Sequence, residues 1–249
     1  MRRSNIARGF GLATLSAAAP LHAACISLVA DNVAYVQDFD TLSNVAGSTT
    51  NALTIPGWFL TESGGGARDN ELYAVDTGNL TVGDSYSYGA AGSTERALGS
   101  LRSGVLFPVF GACFTNETGV ALISVHIAYT GEQWRLGTAG RTDEIDFQYS
   151  TNATDLTTGT WIDVPALNFV TPDTMTVGLK NGNGAADRTS VAATVAPIAI
   201  AIGATLWIRW IDTDATGADD GLAIDDFALT PVDSIFQNGF EVSIHIQAQ

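Results

Sequence analysis

The sequence predicts an all-β protein, one antiparallel two-sheet β-sandwich over residues 25–232. Three observations predict it. Glycine is abundant, with 26 residues, while charged residues make up only 15%, and no stretch has the Lys/Glu/Leu-rich 3.6-residue period of a helix. Short apolar runs recur along the chain between Gly, Pro, Asn and Asp turn signals. A hydrophobic content of 46% supplies a core adequate for one domain of this size.

Taken in order, residues 1–24 read as a secretory signal. Arg2, Arg3 and Arg8 form a positive start, residues 9–21 are small and apolar, and Ala23-Ala24 offer a cleavage site. The run is too short for a permanent membrane helix, and no other apolar run is long enough to span a bilayer. Arg2-Arg3 lacks the apolar pair that the twin-arginine route wants soon after it. Cys25 lies where a lipid-attachment cysteine would, but His22 stands where such sites have Leu.

The strand signals follow at 33–39 (VAYVQDF), 53–60 with Pro56-Gly57 inside it, 71–75 and 105–110. The segment 120–130 (VALISVHIAYT) is the longest and alternates cleanly. Others are 144–149 (EIDFQY), 160–164, 175–179, 191–198, 205–211 (TLWIRWI) and 222–229 (LAIDDFAL). About ten strands at this spacing call for two packed sheets. Residues 233–249 form a separate C-terminal tail.

Residues 25–249 carry 8 basic and 26 acidic side chains, a formal charge of −18. Such a surface repels nucleic-acid phosphates and anionic membranes. It suits divalent cations, neutral glycans or a basic partner. Export also bears on the two cysteines. In an oxidising compartment Cys25 and Cys113 are candidates for a disulfide; the alternative is one buried thiol and one frayed one.

The densest chemistry is Asp212-Thr-Asp214-Ala-Thr-Gly217-Ala-Asp219-Asp220, with Asp225-Asp226 following. Carboxylates crowded into one loop need solvent, hydrogen bonds or a cation to offset their repulsion. Asp212, Asp214, Gly217 and Asp220 fit positions 1, 3, 6 and 9 of a helix-flanked calcium loop, but position 12 is Ala223 and the flanks read as strands. Two readings remain: a structural calcium ion held by a loop between strands, or an Asp/Gly turn whose carboxylates accept backbone N–H groups.

The run from Trp207 through Asp226-Phe, with Ser85-Tyr-Ser-Tyr-Gly89, Glu95-Arg-Ala-Leu-Gly-Ser-Leu101 and Tyr129-Thr-Gly-Glu-Gln-Trp-Arg135, resembles an uncharacterised exported bacterial jelly-roll family. More remotely, Asp38-Phe-Asp40 and Ile224-Asp-Asp-Phe227 are similar to MAM-type and carbohydrate-binding, concanavalin-like sandwiches. That resemblance implies adjacent first and last strands sharing a structural calcium, with Asp40 near Asp226. The tail carries an Ile235-Phe236-x-x-Gly239-Phe240-Glu241 pattern similar to the ends of many exported Gram-negative proteins.

No catalytic set is complete. Glu144, Asp146 and Gln148 alternate to one side of a strand, as in sandwich glycosidases, but Gln148 stands where an acid/base Glu is required. His126 and His245 belong to no recognisable triad or zinc motif, and no Gly-x-Ser-x-Gly elbow exists. Trp58 after Pro56-Gly57, and Trp134-Arg135 after Gly131, read as loop-edge positions suited to stacking on a sugar; the alternatives are that Trp134-Arg135 caps the end of the sandwich and that these rings belong to the core. Of Trp207 and Trp210, three apart on a strand, at least one belongs in the core. The expectation is therefore an exported, non-catalytic module, secreted, periplasmic or on the cell surface, that binds a glycan or a cell-surface protein. The alternatives are a structural or matrix assembly protein and a glycoside hydrolase using Glu144 and Asp146.

Overall fold

The computed structural model describes residues 24–232, so the expected signal segment and C-terminal tail lie outside the described residues. The chain forms the predicted jelly-roll sandwich. Its strands are β1 (Ile26–Leu28), β2 (Tyr35–Gln37), β3 (Trp58–Thr61), β4 (Tyr73–Asp76), β5 (Asp84–Tyr88), β6 (Ala97–Leu101), β7 (Val109–Asn116), β8 (Ser124–Leu136), β9 (Glu144–Ser150), β10 (Ile162–Asp163), β11 (Phe169–Val170), β12 (Gly178–Leu179), β13 (Arg188–Val195), β14 (Thr205–Asp212) and β15 (Gly221–Val232). The one helical element among the described residues is a 3-10 turn at Pro165–Leu167.

The first sheet runs β1-β7-β14-β9-β10, with β3 also on β7 and β11 also on β9. The second runs β12-β8-β15-β6-β5-β4, with β13 on β8 and β2 on β15. Pairing is antiparallel apart from β1 on β7 and β4 on β5. Strand alternation builds the core between the sheets. Leu206, Ile208 and Trp210 of β14, Ile145 and Phe147 of β9, and Val125, Ile127 and Tyr129 of β8 all point inward. Trp210 is the hub. Its ring meets those of Trp58 (6.2 Å), Phe110 (5.7 Å), Tyr129 (5.4 Å), Phe147 (5.1 Å) and Phe227 (5.8 Å), in the offset and edge-on arrangements aromatic quadrupoles favour.

β15 needs a correction of phase to serve this core. Leu222 and Ile224 face in, as do Phe227 and Leu229, which a strict period of two forbids. A bulge between Asp225 and Ala228 inserts the extra residue, and Asp226 absorbs the kink at φ +49°, a conformation Asp tolerates better than most residues.

Cys25 and Cys113 are joined by a disulfide, Cα atoms 4.7 Å apart, tying β1 to the strand it pairs with. Two expectations are corrected. Trp58 and Trp134 are not loop-edge platforms, since each is only 2% exposed. Trp58 lies within the core and donates its indole N–H to the Tyr35 hydroxyl at 2.9 Å. Trp134 stands on the outer face of the second sheet, stacked on Tyr88 at 6.1 Å and capped by the backbone of Gly182, where a Cβ would come within 2.3 Å of the indole nitrogen. Gly131 had suggested a turn before it. β8 instead continues to Leu136, and the glycine makes room for the Phe169 ring, which a Gly131 Cβ would meet at 2.2 Å.

Candidate functional site

The acidic loop between β14 and β15 is knit by hydrogen bonds. Asp212 is 1% exposed and accepts from the Ser100 hydroxyl at 2.9 Å. Asp220, fully buried, accepts from the Gly137 amide (2.7 Å) and the Thr171 hydroxyl (2.7 Å). Its own amide donates to Asp143 at 2.8 Å. Asp219 accepts from the Ala215 amide at 3.0 Å. Arg141 supplies the cation, with Nη1 3.2 Å from Asp143 Oδ2 and 3.7 Å from Asp220 Oδ1. Burial, and then the neighbouring Asp143 charge, holds Asp212 well above the ordinary carboxylate range. Burial likewise raises Asp220, and Asp219 to about 6. Asp214 is exposed, 3.8 Å from the Arg102 guanidinium.

The remaining sequence-selected positions lie apart from this loop. β2 lies against β15, with Gln37 opposite Phe227, so first and last strands are indeed neighbours on that sheet. Asp226 is exposed and, with Asp38, lines an open groove beside them. Asp40 instead accepts from the Arg96 amide at 3.1 Å. Arg135 is half-buried and donates to the Gly78 carbonyl at 3.3 Å. His126 is exposed, its Nδ1 3.3 Å from the Thr194 hydroxyl. Among the described residues, the one trio of carboxylates gathered closely enough to share an ion is Glu95, Glu132 and Asp225; the sequence reading had named Asp225 beside the acidic run but had chosen none of the three as a ligand.

The outer face of the first sheet is built differently. Ladder register places Asp163, Gln148, Arg209, Gly111 and Phe59 in one row across β10, β9, β14, β7 and β3. A second row holds Asp146, Ile211, Val109 and Thr61, each half-buried. The polar members of the first row are locked together. The Gln148 amide nitrogen donates to Asp163 at 2.6 Å, its oxygen accepts from Arg209 Nε at 2.8 Å, and Arg209 also donates to the Leu156 carbonyl. The guanidinium lies 3.9 Å over the Trp161 ring centroid, a cation–π contact. Burial lowers the Arg209 pKa to about 10, which leaves it charged at neutral pH. Gly111 contributes no side chain, and a Cβ there would meet the Ile208 carbonyl at 2.1 Å. A cleft beside it is lined by Phe59, Thr61, Leu156, Thr157 and Trp207.

Glu144, Asp146 and Gln148 do share this face, as alternation requires. Asp146 accepts from Asn168 and is raised by burial, then by Glu144 and Asp163. The amide of Gln148 is held on both sides and offers no titratable proton. Sequence reasoning missed Arg209 and Phe59 as members of this surface. The signal lay in β14 itself, where Arg209 between the core residues Ile208 and Trp210 must point outward.

No protein-family model matches the sequence, and no curated protein matches it. Among solved structures, the chain is similar to the CBM22-1 xylan-binding domain from Paenibacillus barcinonensis, at 13% identity and TM-score 0.38, covering 83% of this chain and 99% of that one. It is similar to the K3 cleaved adhesin domain of Lys-gingipain from Porphyromonas gingivalis, at 14% identity and TM-score 0.40, covering 74% and 99%. It is also similar to the family 11 carbohydrate-binding module from Clostridium thermocellum, at 8% identity and TM-score 0.36, covering 77% and 94%. Likeness at this level extends to neither ligand nor activity.

Proposed function

We propose that this chain is an exported, non-catalytic β-sandwich module that binds a neutral glycan across the open face of β3, β7, β14, β9 and β10. The row Asp163–Gln148–Arg209–Gly111–Phe59 carries the reading. Sugar recognition needs planar polar groups held in fixed positions for hydroxyls, and aromatic surface for the apolar C–H face of the ring. The amide and guanidinium here are already immobilised by each other and by Asp163, so binding orders few side chains. The side chain missing at Gly111 keeps the floor of the cleft low between Arg209 and Phe59. The strong negative charge of the chain favours a neutral ligand over an acidic one.

Affinity electrophoresis of the protein through gels containing neutral polysaccharides, alongside a glycan array, tests this. Retardation is expected for the wild type and its loss in Gln148→Ala and Arg209→Ala. Equal retardation of wild type and both variants would move the binding surface elsewhere. Failure on every neutral glycan would remove the glycan reading altogether.

A further inference from the structure

The second sheet carries a separate buried acidic trio, on the face turned away from the core. Glu132 of β8 lies opposite Ala223 of β15, and Asp225 lies opposite Thr130, one ladder step further along the same outward side. Glu95, in the turn that leads into β6, comes over the top of them. Glu132 is 1% exposed, Asp225 is 6% exposed and Glu95 is half-buried. One carboxylate oxygen from each lies within 4.8 Å of the others.

Neutral donors reach only part of this charge. The Trp134 indole N–H donates to Glu132 Oε2 at 2.9 Å, and the Asn183 amide donates to Glu95 Oε2. Asp225 Oδ1 and Glu95 Oε1 are buried and accept no hydrogen bond. Among the described residues, no Lys, Arg or His forms an ion pair with any of the three. Arg188 attracts Glu132 from further away, and the Asp226 backbone amide donates to Asp225 while its side chain adds a further negative charge nearby. Buried carboxylates left in this state are costly, and the acidic loop shows how the same chain handles such a cluster elsewhere, with Arg141 set among the oxygens.

We propose that Glu95, Glu132 and Asp225 form a binding site for one hard divalent cation, calcium by preference. The donors are all oxygens, which suits calcium over zinc or copper. Two oxygens on opposite sides of one calcium, each at about 2.4 Å, are about 4.8 Å apart, and the three oxygens, all within 4.8 Å of one another, do not exceed that separation. Magnesium, at about 2.1 Å, demands a tighter octahedron. A cation here engages the oxygens that protein donors leave unpaired. It also pins β8, β15 and the turn before β6 at one point. The site is distinct from the acidic loop and from the Asp40/Asp226 pair expected on sequence grounds, and it does not depend on the glycan reading.

The test is calcium titration of the EDTA-stripped protein at pH 8 by calorimetry, paired with thermal unfolding. One calcium per chain is expected. At a hundredfold excess over Kd the melting temperature should rise by roughly 5–10 °C. Glu132→Gln and Asp225→Asn should lose the calcium-dependent rise, whereas Asp212→Asn keeps it. Each of the two trio variants keeps the size and an acceptor oxygen of the side chain it replaces, so in EDTA it should melt close to the wild type, which verifies folding. Terbium locates the ion: Trp134 lies against Glu132, so its excitation should sensitise terbium emission, and Trp134→Phe should lose that emission. The proposal is overturned if millimolar calcium gives neither heat nor a shift. It is equally overturned if the shift survives in both Glu132→Gln and Asp225→Asn.

Discussion

Replacing Arg141 by Met probes how the acidic loop is held together. Its Nη1 lies 3.2 Å from Asp143 and 3.7 Å from Asp220, two carboxylates with no exposed side-chain surface. At an effective dielectric of about 20 these distances correspond to gross attractions of about 5 and 4.5 kcal/mol. Most of that is offset by the desolvation of the arginine, and breaking a buried pair costs about 3–5 kcal/mol net. Arg141 also donates to the carbonyls of Thr216 (2.9 Å) and Ala218, contributions of about 1 kcal/mol each that do not depend on pH. The charge part does depend on pH. Asp212 and Asp220 have raised pKa values, and Asp219 is raised to about 6. Toward pH 5 Asp219, at about 6, takes up its proton and sheds part of the repulsion that Arg141 otherwise offsets. Arg141→Met should therefore destabilise by about 4 kcal/mol at pH 8, a fall in Tm of about 8–16 °C, and by about 2 kcal/mol at pH 5. Urea unfolding of both proteins at the two pH values measures this directly. A loss of equal size at pH 5 and pH 8 would refute the argument, because the arginine would then be acting through hydrogen bonds and packing alone.

Two further outcomes follow from the buried groups. Asp84 and Glu132 are raised to about 7, Asp219 to about 6 and Asp225 to about 9, with burial the largest cause in each. A carboxyl whose folded pKa exceeds its unfolded value near 4 stabilises fully below that unfolded value, and the contribution is lost as pH rises through the folded pKa. In EDTA, stability should therefore fall between pH 5.5 and pH 8.5, by up to about 1.4 kcal/mol per pH unit for each proton held. Calorimetric melting across that range checks it, and a rising curve would contradict the burial argument. Gly131→Ala should destabilise by about 1–3 kcal/mol through overpacking against the Phe169 ring, read from the shift in denaturant midpoint at unchanged slope.

The sandwich was legible in the sequence because its central strands alternate. β9 and β14 fall close to the segments the pattern marks, and the disulfide-bonded pair are the two cysteines in the sequence. What escaped has identifiable causes. β5 and β6 are almost wholly buried on both faces, so Ser, Tyr, Gly and Ala replace the usual apolar alternation. Gly131 looked like a turn because sequence cannot distinguish a glycine chosen for backbone freedom from one that makes room for a neighbour's ring. Misreading it placed Trp134 at an edge instead of under the Gly182 turn. The carboxylate trio was hidden by distance, since residues 95, 132 and 225 meet only once β8, β15 and β6 pair. Asp225 was half-visible, for a residue after the core Ile224 must face away from the core.

The order of the strands has a consequence for how the chain is made. β14 lies between β7 and β9, and β15 lies between β8 and β6, so the middle of both sheets comes from residues 205–232. Until that segment has been synthesised, the strands on either side have nothing to pair with across the gap, and Trp210 is absent from the ring cluster that surrounds it. The strands before residue 205 can therefore form only separate ladders, such as β3-β7-β1, β4-β5-β6 and β12-β8-β13, and closure of the two sheets is a late event driven by contacts of long sequence separation, a topology that folds slowly. Any fragment that stops before residue 205 lacks the centre of both sheets, however many of the other strands it keeps.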